Sequence, residues 1–489
     1  MRISTQRSLV AALLCFLLFL PLSPGGMFGA ETPEPGEAHG AAWLVTGGTV
    51  LTMDSAGTVI EDGAVAVSGS SILAVGSSEE LEHRFPEARR LDASGRIVMP
   101  GLINTHTHVP MTLFRGVADD LTLMEFLHEN IFPAEAKWVD EEFVRVGTRL
   151  ACLELLRGGI TTFVDMYYFE DAIAEEASRC GLRAVVGETL IDFPAPDHAT
   201  WTEAVAYTEQ FLDRWTNHPL IVPAVAPHAP YTVSGAHLRE AHELATRHGA
   251  PLLIHLSESS SEIEEIREEH GTGSVEYREE LGVLDDRVVA AHMVKPQEGE
   301  IELLAGAGVG VAHCPESNMK TAAGVSPVPD LLAGGVAVGL GTDGPASNND
   351  LSLWGEMDMA AKLHKLIRSD PTVLPAETVV ELATRGGAEA IDLDHLVGSL
   401  EPGKRADLIT VRTDAYHQIP VYDPYSVLVY TTKTTDVDHV IVNGELVAAA
   451  GEVLTVDEGA VRADVEEYRQ KISGDAPETV PESGAGDSE

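Results

Sequence analysis

Short apolar runs alternate with amphipathic stretches through the middle of the chain, from about residue 97 to residue 397. Eight such runs can be counted, each typical of a buried strand: IVMPGLIN, GITTFVDM, LRAVVGE, LIVPAVAPH, PLLIHLSE, VVAAHM, GVGVAHCP and VAVGLGTD. The stretches between them, such as 141–157 and 234–248, repeat apolar residues at helical spacing. Eight strand–helix units over roughly 250 residues or more predict an α/β protein with a closed (β/α)8 barrel of the TIM type. A doubly wound open sheet is the main alternative, but no G-x-G-x-x-G opens a helix after a strand.

The two ends of this region have a different pattern. Residues 41–96 and 398–455 contain short alternating strands separated by glycine turns. The strands after residue 398 are too few to close a sheet alone, so we expect both parts to form one small β-sandwich. Residues 474–489 are acidic and rich in Pro, Glu, Ser and Gly, which predicts a disordered tail.

The first thirty residues have the pattern of a secretory signal. Arg2 and Arg7 precede an apolar stretch from Leu9 to Leu20, and small residues follow it. The stretch is shorter than the roughly 20 apolar residues that span a bilayer. We therefore expect an exported protein, periplasmic or extracellular, with cleavage near Ala30 or an uncleaved anchor as the alternatives. We expect no other membrane span.

Composition and charge limit the partners. A hydrophobic content of 44% is typical of a core-forming globular protein. The chain has 77 Asp and Glu residues against 32 Lys and Arg residues, a formal net charge of -45. Such a surface repels nucleic acid and anionic lipid. We expect a small-molecule partner and a homo-oligomer.

Candidate chemistry begins with a His-x-His pair at the end of the first run. Side chains two apart on a strand share a face, so His106 and His108 project together from the carboxyl end of that strand. Two converging imidazoles suit a divalent metal such as zinc or iron. Further polar residues end the other runs: Asp165, Glu188, His228, His255, Glu258, His292 and Asp343. Because the carboxyl ends of barrel strands share one rim, the set predicts a metal site of three imidazoles and one carboxylate.

At these residues the chain resembles the amidohydrolase superfamily, in its branch of adenosine-type deaminases and related chlorohydrolases. The nearest likeness is to enzymes that deaminate 5-methylthioadenosine and S-adenosylhomocysteine. The segments that carry the resemblance are PGLINTHTH, LRGGITTFVDM, APHAPYT, HLSES, AAHM, HCPESNMK, GLGTDGPASNNDLSLWGEM and GSLEPGKRADL. The resemblance implies a barrel carrying a small β-sandwich made from both chain ends.

The resemblance also implies roles for single residues. The implied metal ligands are His106, His108, His255 and Asp343. Glu258 is the implied proton shuttle, and His292 holds or deprotonates the water together with Asp343. Strand 4 lacks the lysine that bridges two metals in the binuclear branch, so we expect one cation, zinc in the first place and iron as the alternative. A carboxylate satisfied at a helix start is the alternative role for Glu258.

Three residues are implied in substrate binding. Glu135 matches the position that receives ribose hydroxyls, with an ordinary exposed helix acid as the alternative. His228 lines the pocket from strand 4, and Phe126 stands where relatives carry Trp. The implied substrate is a 6-aminopurine nucleoside: 5'-methylthioadenosine, S-adenosylhomocysteine or adenosine. No arginine can be matched to the clamp for an amino-acid carboxylate, which disfavours S-adenosylhomocysteine.

Two other functions stay open at this point. One is a hydrolase of another ring substituent, such as a guanine or aminoheterocycle deaminase or a triazine chlorohydrolase. The other is a non-catalytic binding protein that has kept the barrel.

Overall fold

The computed structural model describes residues 42–474 of the 489-residue chain. The expected signal segment (1–30) lies outside the described residues, and so does the expected acidic tail beyond residue 474. Among the residues described, none of the helices has the length and apolar character needed to cross a bilayer.

Strands and helices alternate along most of the described chain. The strands are β1 (Trp43–Leu51), β2 (Val59–Ser68), β3 (Ser71–Ser77), β4 (Arg89–Asp92), β5 (Arg96–Pro100), β6 (Leu102–Thr107), β7 (Ile160–Tyr167), β8 (Arg183–Leu190), β9 (Ile221–Pro227), β10 (Leu252–Leu256), β11 (Val288–His292), β12 (Gly310–His313), β13 (Val338–Leu340), β14 (Leu408–Arg412), β15 (Val437–Val442), β16 (Glu445–Ala449) and β17 (Glu452–Val453). The α-helices are α1 (Ser78–Arg84), α2 (Leu123–Glu125), α3 (Phe132–Trp138), α4 (Glu141–Arg157), α5 (Glu170–Cys180), α6 (Trp201–Trp215), α7 (Gly235–His248), α8 (Ser260–His270), α9 (Ser274–Leu281), α10 (Glu300–Ala307), α11 (Pro315–Lys320), α12 (Val328–Ala333), α13 (Leu353–Arg368), α14 (Ala376–Leu382), α15 (Arg385–Ala390), α16 (Pro424–Tyr430) and α17 (Glu458–Gly474). Two 3-10 turns (Val109–Phe114 and Thr434–Asp436) and one π-helical turn (Phe126–Ile131) complete the set.

Eight parallel strands, β6 to β13, form the predicted barrel. They pair in chain order, each strand beside the next along the sequence. The residues of β6, β7 and β8 are buried throughout, as expected of strands covered on both faces. The gap between β13 and β6 is bridged by hydrogen bonds, from the Thr342 amide to the Asn104 side chain (3.1 Å) and from the Asp343 amide to the His106 carbonyl (3.0 Å). The barrel prediction is confirmed.

The remaining nine strands form one mostly antiparallel sheet from both chain ends. Its main path runs β17-β16-β15-β14-β5-β1-β2-β3, and β4 pairs with β1. The carboxyl-terminal strands join the amino-terminal ones through the antiparallel pair of β14 and β5. Val67 and Ile72, from the amino-terminal strands, share one buried cluster with Leu408 and Ile441, from the carboxyl-terminal strands. The expected small β domain built from both ends is therefore present.

The boundary between this sheet and the barrel differs from the expected one. The apolar run expected as a single strand is two strands, β5 in the chain-end sheet and β6 in the barrel. They separate at Gly101, where a Cβ atom would lie 2.1 Å from the Thr161 hydroxyl oxygen, so a larger residue is excluded. The barrel thus begins at Leu102 instead of residue 97, because the apolar run continues across this break without a change of pattern.

A helix that the sequence pattern did not predict follows the last strands. α17 lies against α4, where the Tyr468 ring meets the Phe143 ring edge-on with centroids 5.5 Å apart. Val461 and Tyr468 are the only buried residues of this helix, so its apolar stripe is too sparse to stand out in the sequence.

Candidate metal and active site

Five metal-type side chains converge at the carboxyl ends of the barrel strands. Four of them each offer an atom within 4.8 Å of the others: His106, His255, His292 and Asp343. His108 joins them, because its Nε2 lies 3.2 Å from the Asp343 Oδ1 and 3.2 Å from the His255 Nε2. His106 Nε2 lies 3.4 Å from the same carboxylate oxygen. The four residues expected as ligands therefore meet around one point, with His292 beside them.

Backbone carbonyls orient two of these imidazoles. His108 Nδ1 is 2.6 Å from the Met166 carbonyl oxygen, and His255 Nδ1 is 2.8 Å from the His228 carbonyl oxygen. A carbonyl oxygen can only accept, so each Nδ1 carries a proton. Burial would lower the pKa of His108, but Asp343 beside it raises that pKa to about 9, so a bound cation would displace a proton from its Nε2. Each Nδ1 thus bonds outward while each Nε2 faces the cluster. This is the arrangement by which an outer hydrogen bond fixes a histidine for metal binding.

Asp343 is held in place by several donors. The hydroxyls of Ser317 and Ser347 donate to its Oδ2 at 2.6 and 2.8 Å, and the Gly344 amide donates to Oδ1 at 2.7 Å. Its backbone φ is +64°, and that of His292 is +74°. Left-handed backbone at residues other than glycine is uncommon and concentrates at functional sites.

The electrostatics of the cluster favour a cation. Burial alone would raise the pKa of Asp343, but the imidazoles of His106 and His108 beside its carboxylate hold that pKa well below its usual range. Burial lowers the pKa of His106 to about 4, so this ring is neutral near pH 7. Its Nε2 is buried and has no hydrogen-bond partner among the residues described. An ionised carboxylate with imidazole lone pairs is the donor set that Zn²⁺ or Fe²⁺ takes. The residues therefore fit a divalent metal.

Glu258 faces this cluster from the loop after β10. Its Oε1 lies 3.8 Å from the His292 Nε2, and the side chain is buried. His292 Nδ1 is 2.9 Å from the Asn318 side-chain oxygen, which assigns the proton to Nδ1 and turns the Nε2 lone pair toward Glu258. Burial raises the pKa of Glu258 to about 7. The carboxyl can therefore both hold and release a proton near neutrality.

The helix start after Glu258 is satisfied by a different acid. Glu262 accepts the Ser257 and Glu258 amides, each at 2.8 Å, and the Ser259 hydroxyl accepts the Glu262 amide at 3.1 Å. This closes the first turn of α8. The alternative considered for Glu258 was a carboxylate that caps the start of a helix. Glu262 has that role instead.

A pocket opens beside the cluster, and the side chains of His108, His255, His292 and Asp343 form part of its wall. Glu135 lines it and is buried, which excludes the alternative of an exposed helix acid. Phe126 and His228 also line it, and the His228 Nδ1 is 2.8 Å from the Thr232 hydroxyl oxygen. The three residues expected to bind substrate therefore share one pocket with Glu258.

Several residues of the site were not identified from the sequence. Tyr167 and Tyr168 line the pocket next to Glu135. Burial raises the pKa of Glu135 to about 7, against the opposing effect of the Tyr167 hydroxyl. The pair Tyr167–Tyr168 follows the second apolar run directly, and this position was the one available signal. Asp165, noted as a rim residue, accepts the Thr107 hydroxyl and the Val109 amide and so orients the His108 loop.

Comparisons with known proteins agree with this geometry. The model of the amidohydrolase family matches residues 97–447, and a bacterial imidazolonepropionase-like composite domain matches residues 63–88. The 5-methylthioadenosine/S-adenosylhomocysteine deaminase of Syntrophobacter fumaroxidans is 50% identical over 414 residues, 85% of this chain and 94% of the relative. Deaminase 1 of the same name from Syntrophus aciditrophicus is 45% identical over 437 residues, 89% of this chain and 99% of the relative.

Solved structures show the same likeness. A zinc-bound adenosine deaminase from Xanthomonas campestris superposes with a TM-score of 0.87 and is 39% identical, covering 89% of this chain and 99% of its own. A zinc-bound atrazine chlorohydrolase from Arthrobacter aurescens superposes with a TM-score of 0.81 at 27% identity, covering 87% of this chain and 99% of its own. The chain belongs to the amidohydrolase family, and its likeness to the deaminases supports a hydrolase that acts on C–N bonds.

Proposed function

We propose that this protein is a metal-dependent aminohydrolase that converts a 6-aminopurine nucleoside to its inosine analogue and ammonia. One observation carries the proposal: the buried Glu258 carboxyl, released from helix capping by Glu262, faces both the cluster and the substrate pocket. The names of the relatives support the same reaction.

We propose one divalent cation, zinc in the first place and iron as the alternative, held by His106, His108, His255 and Asp343. A cation bound there lowers the pKa of a coordinated water from about 16 toward 7 and so supplies a nucleophile near neutral pH. The zinc in the adenosine deaminase from Xanthomonas campestris supports this choice of metal.

The residues around the cluster divide the proton transfers between them. Asp343 and the Nε2 of His292 orient the attacking water and accept its proton. Glu258 gives a proton to the ring nitrogen next to the amine-bearing carbon, where negative charge develops. The Glu258 carboxylate then takes the proton from the hydroxyl of the adduct and passes it to the amine, which leaves as ammonia. The proton held by Asp343 or His292 then restores the Glu258 carboxyl. Acid–base help of this kind contributes roughly 10²–10⁴-fold to the rate.

The pocket favours a nucleoside without a charged tail. Glu135 is placed to accept hydrogen bonds from two vicinal ribose hydroxyls. Most of the other lining side chains are apolar or aromatic, among them Met111, Phe132 and Met166. Within the described residues, the pocket lining contains no Lys or Arg that would pair with an amino-acid carboxylate. We therefore propose 5'-methylthioadenosine or adenosine ahead of S-adenosylhomocysteine as the substrate.

A substrate panel tests the proposal. Ammonia release is measured with 5'-methylthioadenosine, adenosine, S-adenosylhomocysteine, guanine and an aminotriazine, with metal content determined on the same preparation. We expect 5'-methylthioadenosine and adenosine to be turned over faster than guanine and the aminotriazine. Turnover confined to guanine or the triazine would assign the protein to another branch of the family.

Two expectations from the sequence remain proposals. We propose export, because residues 1–30 have the pattern of a secretory signal. Fractionation of cells producing the full chain tests this, and retention of all activity in the cytosol would contradict it. Self-association stays a prediction, which light scattering tests.

A further inference from the structure

A second group of metal-type side chains lies outside the site described above. Glu188, near the end of β8, and Asp197 and His198, in the loop that follows, each offer an atom within 4.8 Å of the others. Successive side chains on a strand point to opposite faces, and the neighbouring Thr189 lines the substrate pocket while Glu188 does not. This acidic cluster therefore stands behind the pocket wall.

Polar atoms at the centre of the acidic cluster lack hydrogen-bond partners. Glu188 is completely buried, and its Oε1 has no partner among the described residues. The same holds for the buried Oδ1 of Asp197 and the buried Nε2 of His198. The Nε2 lies 3.8 Å from the Glu188 Oε1 and 3.9 Å from the Asp197 Oδ2. Three residues of one cluster thus each carry a buried ligand atom without a hydrogen-bond partner, which is costly unless something binds there.

The other two carboxylate oxygens of the cluster already accept hydrogen bonds from backbone amides. Glu188 Oε2 accepts the Glu170 amide at 3.2 Å, and Asp197 Oδ2 accepts the Phe169 amide at 2.8 Å. These bonds fix the two carboxylates, so that the Oε1 of Glu188 and the Oδ1 of Asp197 remain available. The His198 ring packs against Tyr207 with centroids 4.8 Å apart, which restricts its orientation.

The charges of the cluster also call for a cation. Burial and the nearby Asp197 raise the pKa of Glu188 well above its usual value, and burial with Asp165 does the same for the pKa of Glu170. Like charges brought together away from water destabilise one another unless they are protonated or neutralised by a cation. Solvent can reach the cluster, because Asp197 and His198 line a surface depression together with Glu203.

We propose that Glu188, Asp197 and His198 bind a second divalent cation, of the class that accepts both carboxylate and imidazole ligands, such as Mn²⁺ or Zn²⁺. Two carboxylate oxygens and one imidazole nitrogen are a suitable donor set for this class. The cation joins the end of β8 to the loop after it. Through the Phe169 amide on Asp197 it also fixes the segment that carries Tyr168, which lines the pocket. It is a positioning site for the pocket wall and takes no part in the reaction.

Counting bound Mn²⁺ tests this proposal. The metal-free full chain is titrated with Mn²⁺ in about 0.15 M salt, which screens weak binding to the acidic surface, and free Mn²⁺ is followed by electron paramagnetic resonance. We expect two tightly bound ions per chain. Asp197→Asn and His198→Ala should each remove one of them. We expect the affinity for that ion to fall at least about tenfold, because loss of a residue that only supports a metal ligand already costs about that much.

Two further variants separate this site from the barrel site. His106→Ala/His108→Ala should leave the ion of the acidic cluster bound, so a failure of the barrel site is distinguishable from a failure here. Glu203→Gln, in the same depression but outside the cluster, should keep both ions. A count that is unchanged by Asp197→Asn and by His198→Ala, with circular dichroism showing both variants folded, would overturn the proposal and indicate a shared proton in place of a cation.

Discussion

The backbone amide of Asp343 donates a 3.0 Å hydrogen bond to the carbonyl oxygen of His106. This bond joins the loop after the last barrel strand to the first strand, and both residues belong to the candidate metal cluster. Closure of the barrel and assembly of the cluster therefore depend on each other. A cation coordinated by side chains from the end of β6, from β10 and from the loop after β13 should stabilise the closed barrel.

Removal of the metal should thus destabilise the protein as well as inactivate it. A ligand present at 100 times its Kd stabilises the folded state by about 2.7 kcal/mol. We expect calorimetry to show a lower Tm after chelation and recovery on addition of Zn²⁺, with ammonia release following the same course. Full activity in a chelated, metal-free sample would contradict this prediction.

Glu258→Gln should lose turnover but still bind the metal and the substrate. Glutamine has the same shape but cannot transfer the proton, so we expect kcat to fall roughly 10²–10⁴-fold. Metal content and the affinity for a substrate analogue should change little. Glu264→Gln, an exposed acid on α8, the helix that follows Glu258, serves as the matched control. Near-normal turnover of Glu258→Gln would remove its assigned role.

Glu135→Ala should separate nucleosides from free bases. A hydrogen bond to a charged group contributes about 1.5–3 kcal/mol, so we expect KM for adenosine to rise roughly tenfold or more. The KM for adenine as a free base should stay within about twofold on the same principle, since no ribose contact is lost. Glu129→Ala, on the exposed side of the neighbouring π-helical turn, is the control. An equal effect on both substrates would mean that Glu135 does not bind ribose.

The stability of the metal-free protein should depend on pH through Glu258. Burial raises the pKa of Glu258 from 4.5 to about 7, so between these values the folded state binds more protons than the unfolded state. Stability that this group contributes is complete below pH 4.5 and is lost as pH rises through about 7. At 1.36 kcal/mol per pKa unit the loss reaches about 3 kcal/mol. We expect Glu258→Gln to reduce the fall in unfolding free energy between pH 5 and 8 by an amount of this order, measured by urea titration of the metal-free proteins.

Much of the site could be predicted from the sequence because the topology of the barrel determines where the residues that follow each strand lie. Each apolar run ends at the same rim, so polar residues directly after a strand, such as His255 and Asp343, meet without any knowledge of the loops. The spacing of His106 and His108 fixes their common face for the same reason. These relationships depend only on strand periodicity and strand order.

The features that the sequence did not predict depend on contacts between residues that are far apart in the sequence or on how a loop folds. The break at Gly101 follows from the close approach of Thr161, which no local pattern reveals. The capping role of Glu262 could not be told from that of Glu258, because two acids near a helix start look alike in sequence. The acidic cluster depends on how the loop carrying Asp197 and His198 folds back onto Glu188, and periodicity gives no information about a loop.

The central claim is that one cation is held by His106, His108, His255 and Asp343 beside Glu258. Anomalous diffraction at the zinc edge from crystals of the zinc-loaded protein tests it most directly. We expect a peak about 2.0–2.2 Å from a nitrogen of each of the three histidines and from an oxygen of Asp343. No peak at that point, in crystals that carry zinc elsewhere, would contradict the metal mechanism and the deaminase assignment with it.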